Sequence, residues 1–133
     1  MANGLPNEVE VITLFVDEIA STKAFYATVF APEVVWEDAV SSVLRFGGLL
    51  INLLDVSQAP PLVGPVPVGK SSAGARVLLT IRVRDVDQVC TTLQEIGVDL
   101  LNGPIDRPWG RRTAAFADPS GHVWEIAQVI ERG

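Results

Sequence analysis

The sequence predicts an α+β protein that contains one strand-helix-strand-strand-strand module twice. The segment TLFVDEI, Thr13 to Ile19, returns as TIRVRDV, Thr80 to Val86. Thr13 matches Thr80, Leu14 matches Ile81, Val16 matches Val83, Glu18 matches Asp85 and Ile19 matches Val86, all at one constant offset. In each copy alternating side chains, the mark of a half-buried strand, lead to an acidic residue placed to cap a helix. Length sets the scale: 133 residues, 48% hydrophobic and 20% charged, suffice for one compact unit with a real core but not for two domains of ordinary size.

After the first strand, a helix of about Ala20 to Val29 turns Ala24, Phe25 and Val29 to one side and ends before Pro32, which cannot continue it. Three extended segments follow, Glu33 to Asp38, Ser41 to Phe46 and Leu49 to Leu54, with Gly47-Gly48 as a tight hairpin turn. Gln58 to Gly74, QAPPLVGPVPVGKSSAG, is rich in Pro, Gly and Ser and reads as a linker or flexible flap. Residues 1–133 therefore read as a single domain, with module one at about 9–57, the linker at about 58–74 and module two at about 75–131.

The second helix is the more regular. Val86, Val89, Cys90, Leu93 and Ile96 fall on one stripe, with Asp85 before them and Gly97 after. Extended segments are expected at about Asp99 to Asp106, Arg112 to Phe116 and Val123 to Ile130, the last two joined through a DPSG turn with Pro119 second and Gly121 fourth.

The formal charge of −6 argues against a nucleic-acid partner, because a phosphate backbone calls for a basic stripe; it favours cationic or neutral ligands by long-range steering. Apolar runs such as Leu49 to Ile51 are far too short for a bilayer span, so no membrane partner is expected. The first residues show no basic segment followed by an apolar one, and Cys90 has no second cysteine to pair with; both agree with a cytoplasmic protein.

The chain resembles the vicinal oxygen chelate superfamily, which includes glyoxalases, extradiol dioxygenases, fosfomycin resistance enzymes and bleomycin-binding proteins. The duplicated module carries the resemblance, together with AFYATVF, Ala24 to Phe30, and RPWGRRTAAFADPSGHVWEIAQ, Arg107 to Gln128, with its Trp-Gly, Asp-Pro-x-Gly-His and closing Glu. The resemblance implies a curved mixed sheet around a cleft, with the helices outside. In metal-using members the first and last strand of each module each supply one ligand. The corresponding positions here are Val11 and Leu78, seven residues before Glu18 and Asp85, and Asn52 and Glu125 on the last strands. A catalytic divalent ion needs about three His, Cys or carboxylate ligands, and valine and leucine have no lone pair. No cofactor is therefore expected, and a divalent metal is disfavoured. His122 cannot help Glu125, since three positions apart on a strand they point to opposite faces; it reads as a turn-exit residue that bonds locally.

Strand alternation turns Val11, Thr13 and Phe15, then Leu50, Asn52 and Leu54, then Leu78, Thr80 and Arg82, and then Val123, Glu125 and Ala127 toward the cleft, while Trp124 and Ile126 pack under the helix layer. Apolar walls with a few convergent polar groups suit a small molecule. The candidate ligand-binding residues are Thr13, Phe15, Trp36, Asn52, Thr80, Arg82, Trp109, Arg112 and Glu125. Glu125 could bind a ligand or pair with Arg82. Trp36 could form a pocket wall, and Trp109 could stack on a ligand or plug a dimer contact. Arg111 and Arg112 could pair with acids or line the cleft mouth, and Cys90 is a small core residue.

The leading expectation is a metal-free small-molecule-binding protein, a homodimer that sequesters a drug or metabolite. A lyase, isomerase or dioxygenase with an atypical metal site, or with Glu125 as general base, is the first alternative. A dimeric interaction module with no open pocket is the second.

Overall fold

The computed structural model describes residues 4–130, so the expected end of module two at residue 131 lies outside the described residues. The chain divides between Val68 and Gly69 into two compact units, each built around a four-stranded mixed sheet.

In the first unit β1 (Val11–Val16) leads into α1 (Ile19–Val29), followed by β2 (Val34–Glu37), β3 (Ser41–Phe46) and β4 (Leu49–Asp55). The spatial order is β1-β4-β3-β2, with β1 and β4 parallel and the other pairs antiparallel. Only a crossover can join parallel neighbours, and α1 supplies it. Leu14 and Val16 on β1, Leu44 on β3, and Ile51 and Leu53 on β4 are buried on the face that α1 covers.

The stripe of α1 differs from the sequence reading. Thr22 and Tyr26 are its fully buried residues, whereas Ala24 is exposed. Tyr26 stacks on Phe30 with ring centroids 5.8 Å apart, and Phe30 meets Phe46 edge-on at 5.1 Å. Three rings bury far more apolar area than one alanine methyl, so they set the rotation of the helix. Glu18 makes no side-chain cap bond, although its carbonyl accepts from Thr22 N–H.

The segment read as a flexible flap holds a 3₁₀ turn at Val56–Gln58, a one-turn helix α2 (Pro60–Val63) and a second 3₁₀ turn at Ser71–Ala73. Pro60 at the first helical position has no N–H to satisfy and a ring that presets the helical φ, so a proline-rich stretch can still form a turn of helix.

The second unit repeats the order with β5 (Leu78–Arg82), α3 (Val86–Glu95), β6 (Asn102–Arg107), β7 (Arg111–Ala117) and β8 (Val123–Val129), arranged β5-β8-β7-β6. Again the first and last strands are parallel and the rest antiparallel. Asp85 caps α3 by accepting from Gln88 N–H at 3.1 Å. The C-terminus closes with paired bonds, Gly97 N–H to the Gln94 carbonyl and Val98 N–H to the Leu93 carbonyl, a Schellman arrangement with Gly97 at φ +85°. Val86, Cys90 and Leu93 are buried against Ala114, Phe116, Trp124 and Ile126; Ile96, expected on the same stripe, is largely exposed beyond the last turn.

Candidate functional site

Each sheet has one face under its helix and one without a helix, called here the open face. Cross-strand register fixes which side chains share it. In the first unit Thr13 pairs with Asn52, Asn52 with Val43 and Val43 with Trp36, giving one row across all four strands. Beside that row lie Val11 with Leu50, and Phe15 with Leu54. In the second unit Thr80 pairs with Glu125, Glu125 with Ala115 and Ala115 with Asn102. Thr13 and Asn52 thus occupy in the first sheet the places that Thr80 and Glu125 occupy in the second, which is the correspondence the repeated sequence implied.

The polar groups of the two rows are held differently. Glu125 Oε1 accepts a hydrogen bond from Thr80 Oγ1 at 3.0 Å. Asn52 Oδ1 is buried and has no hydrogen-bond partner in the protein. Trp36, at the far end of that row on edge strand β2, is 61% exposed. Adjacent strands lie about 4.8 Å apart, so an occupant reaching from Asn52 to Trp36, two strands away, must span roughly 10 Å.

Arg82 stands on the open face of β5 opposite Ala127, two residues along from the Thr80–Glu125 pair, and forms no ion pair with Glu125; Thr80 takes that carboxylate instead. Arg107, which the sequence reading did not single out, crosses the same face: its Nε donates to Thr113 Oγ1 at 2.9 Å and its Nη2 to Asn102 Oδ1 at 3.2 Å. Its bond to Asn102, five residues earlier on the same strand, depends on the irregular register between Asn102 and Ile105, which brings the two to one face.

Arg112 belongs elsewhere. It pairs with Gln128 on the helix-bearing face, where its Nε donates to Asp87 at 3.0 Å and its Nη1 to Asp106 at 2.9 Å. Asp106 first, then Asp87, push the Arg112 guanidinium above its usual range, so it ties α3 to the sheet and is not offered to a ligand on the open face. Counting back through the Asp118–Gly121 turn from Glu125 to Ala115 would have separated Arg111 from Arg112 by parity. Trp109 sits in the turn between β6 and β7, 65% exposed.

His122 is occupied by its own turn. Asp118 Oδ1 accepts from the N–H groups of Ser120 and His122, and Asp118 Oδ2 lies 3.0 Å from His122 Nδ1. The His-to-Glu spacing is thus a turn followed by a strand. Cys90 is buried, and burial first, then Asp87, pushes its thiol above the usual range, which disfavours the nucleophilic thiolate.

The metal positions of the resemblance were tested on their donor chemistry. Val11 and Leu78, 38% and 53% exposed, present only carbon. Asn52 adds one amide oxygen and Glu125 one carboxylate already bonded to Thr80. Among the described residues no group of three or more His, Cys, Asp or Glu side chains is placed to hold an ion. The residues at these positions do not fit a catalytic transition metal, which takes about three strong protein ligands.

A sheet order with a parallel first-last pair in each of two repeated units, and a carboxylate on the last strand of the second, define a two-module glyoxalase-type protein. The chain belongs to the Glyoxalase/Bleomycin resistance protein/Dioxygenase superfamily, whose family model matches residues 8–126. It is similar to the uncharacterised protein YraH of Bacillus subtilis (strain 168), 29% identical over 123 residues that cover 90% of this chain and 96% of that one. A glyoxalase/bleomycin resistance protein/dioxygenase from Nocardioides shares the fold with a TM-score of 0.83 at 20% identity, over 97% of this chain and 87% of that chain. TnmS3, an antibiotic-binding protein from Streptomyces sp. CB03234, is 26% identical with a TM-score of 0.69, over 93% of this chain and 97% of that chain.

Proposed function

We propose that the protein binds a small apolar molecule on its open sheet faces without a catalytic metal, and thereby sequesters a drug or metabolite. One observation carries the reading: the strand positions that would supply metal ligands hold Val11 and Leu78, and the neighbouring strands add only the amide of Asn52 and the carboxylate of Glu125, already bonded to Thr80. On each open face an aliphatic side chain gives affinity through buried area and one polar group orients the guest, Val11 with Asn52 on the first and Leu78 with Glu125 on the second. The family includes binding proteins as well as enzymes, and TnmS3 is named for antibiotic binding, which supports this choice.

Two measurements test it. Protein purified without chelator and incubated with manganese, iron, nickel or zinc should lose the ion on buffer exchange; about one retained ion per chain would sink the metal-free assignment. A panel of polycyclic apolar compounds should contain members that raise the melting temperature, because a guest that binds only the folded state stabilises it. Trp36→Ala and Asn52→Leu should weaken that stabilisation, and a panel without a single stabilising compound would overturn the binding assignment.

A further inference from the structure

The charge of the second unit's open face is opposite to that of the chain. The net charge is −6, yet this face carries the guanidiniums of Arg82, Arg107 and Arg111 against the single carboxylate of Glu125. Among the described residues none of the three is paired with a carboxylate: both bonds of Arg107 go to neutral oxygens, on Thr113 and Asn102. Elsewhere the arginines on the sheets are neutralised, Arg45 by Glu33 and Arg112 by Asp87 and Asp106. The exception is confined to the face that bears Glu125.

Resting on the binding reading above, we infer that the guest of this face is an apolar molecule that carries a carboxylate for Arg82 or Arg107 and, at the other side of its skeleton, a hydrogen-bond donor for Glu125. The separation follows from the sheet. Arg82 lies one strand across and two residues along from Glu125, so their backbones are about 8 Å apart; the two side chains form no ion pair, and Thr80 holds the carboxylate instead. A guanidinium takes a carboxylate through two parallel N–H bonds, and Arg107 is already oriented by the fully buried hydroxyl of Thr113, which lowers the entropy lost on capture. Whole-chain charge steers over long distances, but a Debye length of about 8 Å at physiological salt leaves the local arginines to decide at contact.

A matched pair of fluorescent probes separates the possibilities: a diaminoxanthene dye with a free benzoate, and its methyl ester. Both present amino donors and the same apolar body, and they differ in the carboxylate alone. Fluorescence polarisation on the full chain should show the acid binding roughly tenfold more tightly than the ester, with the advantage shrinking as salt is raised. Arg82→Gln, at an exposed position that makes no contact the fold needs, should bring the ratio toward one; Arg107→Gln is the second variant. Equal binding of acid and ester, or an advantage that survives both variants, would overturn the inference while leaving the binding reading standing. No binding of either dye would count against the binding reading itself and remove the inference with it.

Discussion

At the scale of single residues, the second unit depends on a few side chains whose work is local. Asp118 receives two backbone N–H groups and the His122 ring within one five-residue turn, and its side chain is buried. Removing the carboxylate strands the N–H of Ser120, which is itself buried. Asp118→Ala should therefore cost about 1–3 kcal/mol in urea denaturation, with a smaller loss for Asp118→Asn, which keeps one acceptor. Equal stability of Asp118→Ala and the parent would show that water replaces those bonds without cost. The role of His122 was legible in the sequence, because strand parity alone separates it from Glu125. Arg107 was not, because its partners Thr113 and Asn102 come from different strands joined through an irregular register.

At the scale of elements, two glycines separate strain from space. Gly97 ends α3 at φ +85° with nothing within 4 Å of an added methyl, so Gly97→Ala meets backbone strain alone and should cost about 1–2 kcal/mol. Gly103 in β6 has φ +84°, and an added methyl would collide with the Thr113 carbonyl and lie 2.7 Å from Ala114 Cα. Gly103→Ala should therefore lose at least about 2 kcal/mol more than strain alone, and because the collision falls on the bulge that brings Asn102 to Arg107, it should also weaken ligand binding. Comparing the denaturation midpoints of the two variants checks the order; the reverse order would mean that β6 moves aside easily. The helices themselves differed in legibility for the same reason. The stripe of α3 is aliphatic and was read almost to its end, whereas the buried face of α1 is Thr22 and Tyr26, residues that a hydrophobicity pattern counts as polar.

At the scale of the whole molecule, acid should unfold the protein partly through two surface turns. Asp38 is held below the usual carboxylate range, first by the Ser41 hydroxyl and then by Val40 N–H, and Asp55 likewise by the Ser57 hydroxyl and then its N–H. A carboxyl whose folded-state pKa is depressed contributes stability above its unfolded value, near pH 4, and loses it as the pH falls toward the lower folded value. The melting temperature should thus be nearly flat from neutral pH down to about 5 and drop below about 4, with a smaller drop in Asp55→Asn. Both groups are exposed, so each contribution is small, and an unchanged acid limb in the variant would remove Asp55 from the account. Repetition, strand parity and the aliphatic residues at Val11 and Leu78 were determined by the sequence alone, because they depend only on spacing along the chain and on which atoms carry lone pairs. Tertiary structure decided which acids hold Arg112, that Arg107 bonds both Thr113 and Asn102, and which residue holds Glu125. Those outcomes depend on how strands and helix meet, on an irregular register between β6 and β7 and on the pairing of β5 with the distant β8, and one residue of slip turns every side chain to the other face.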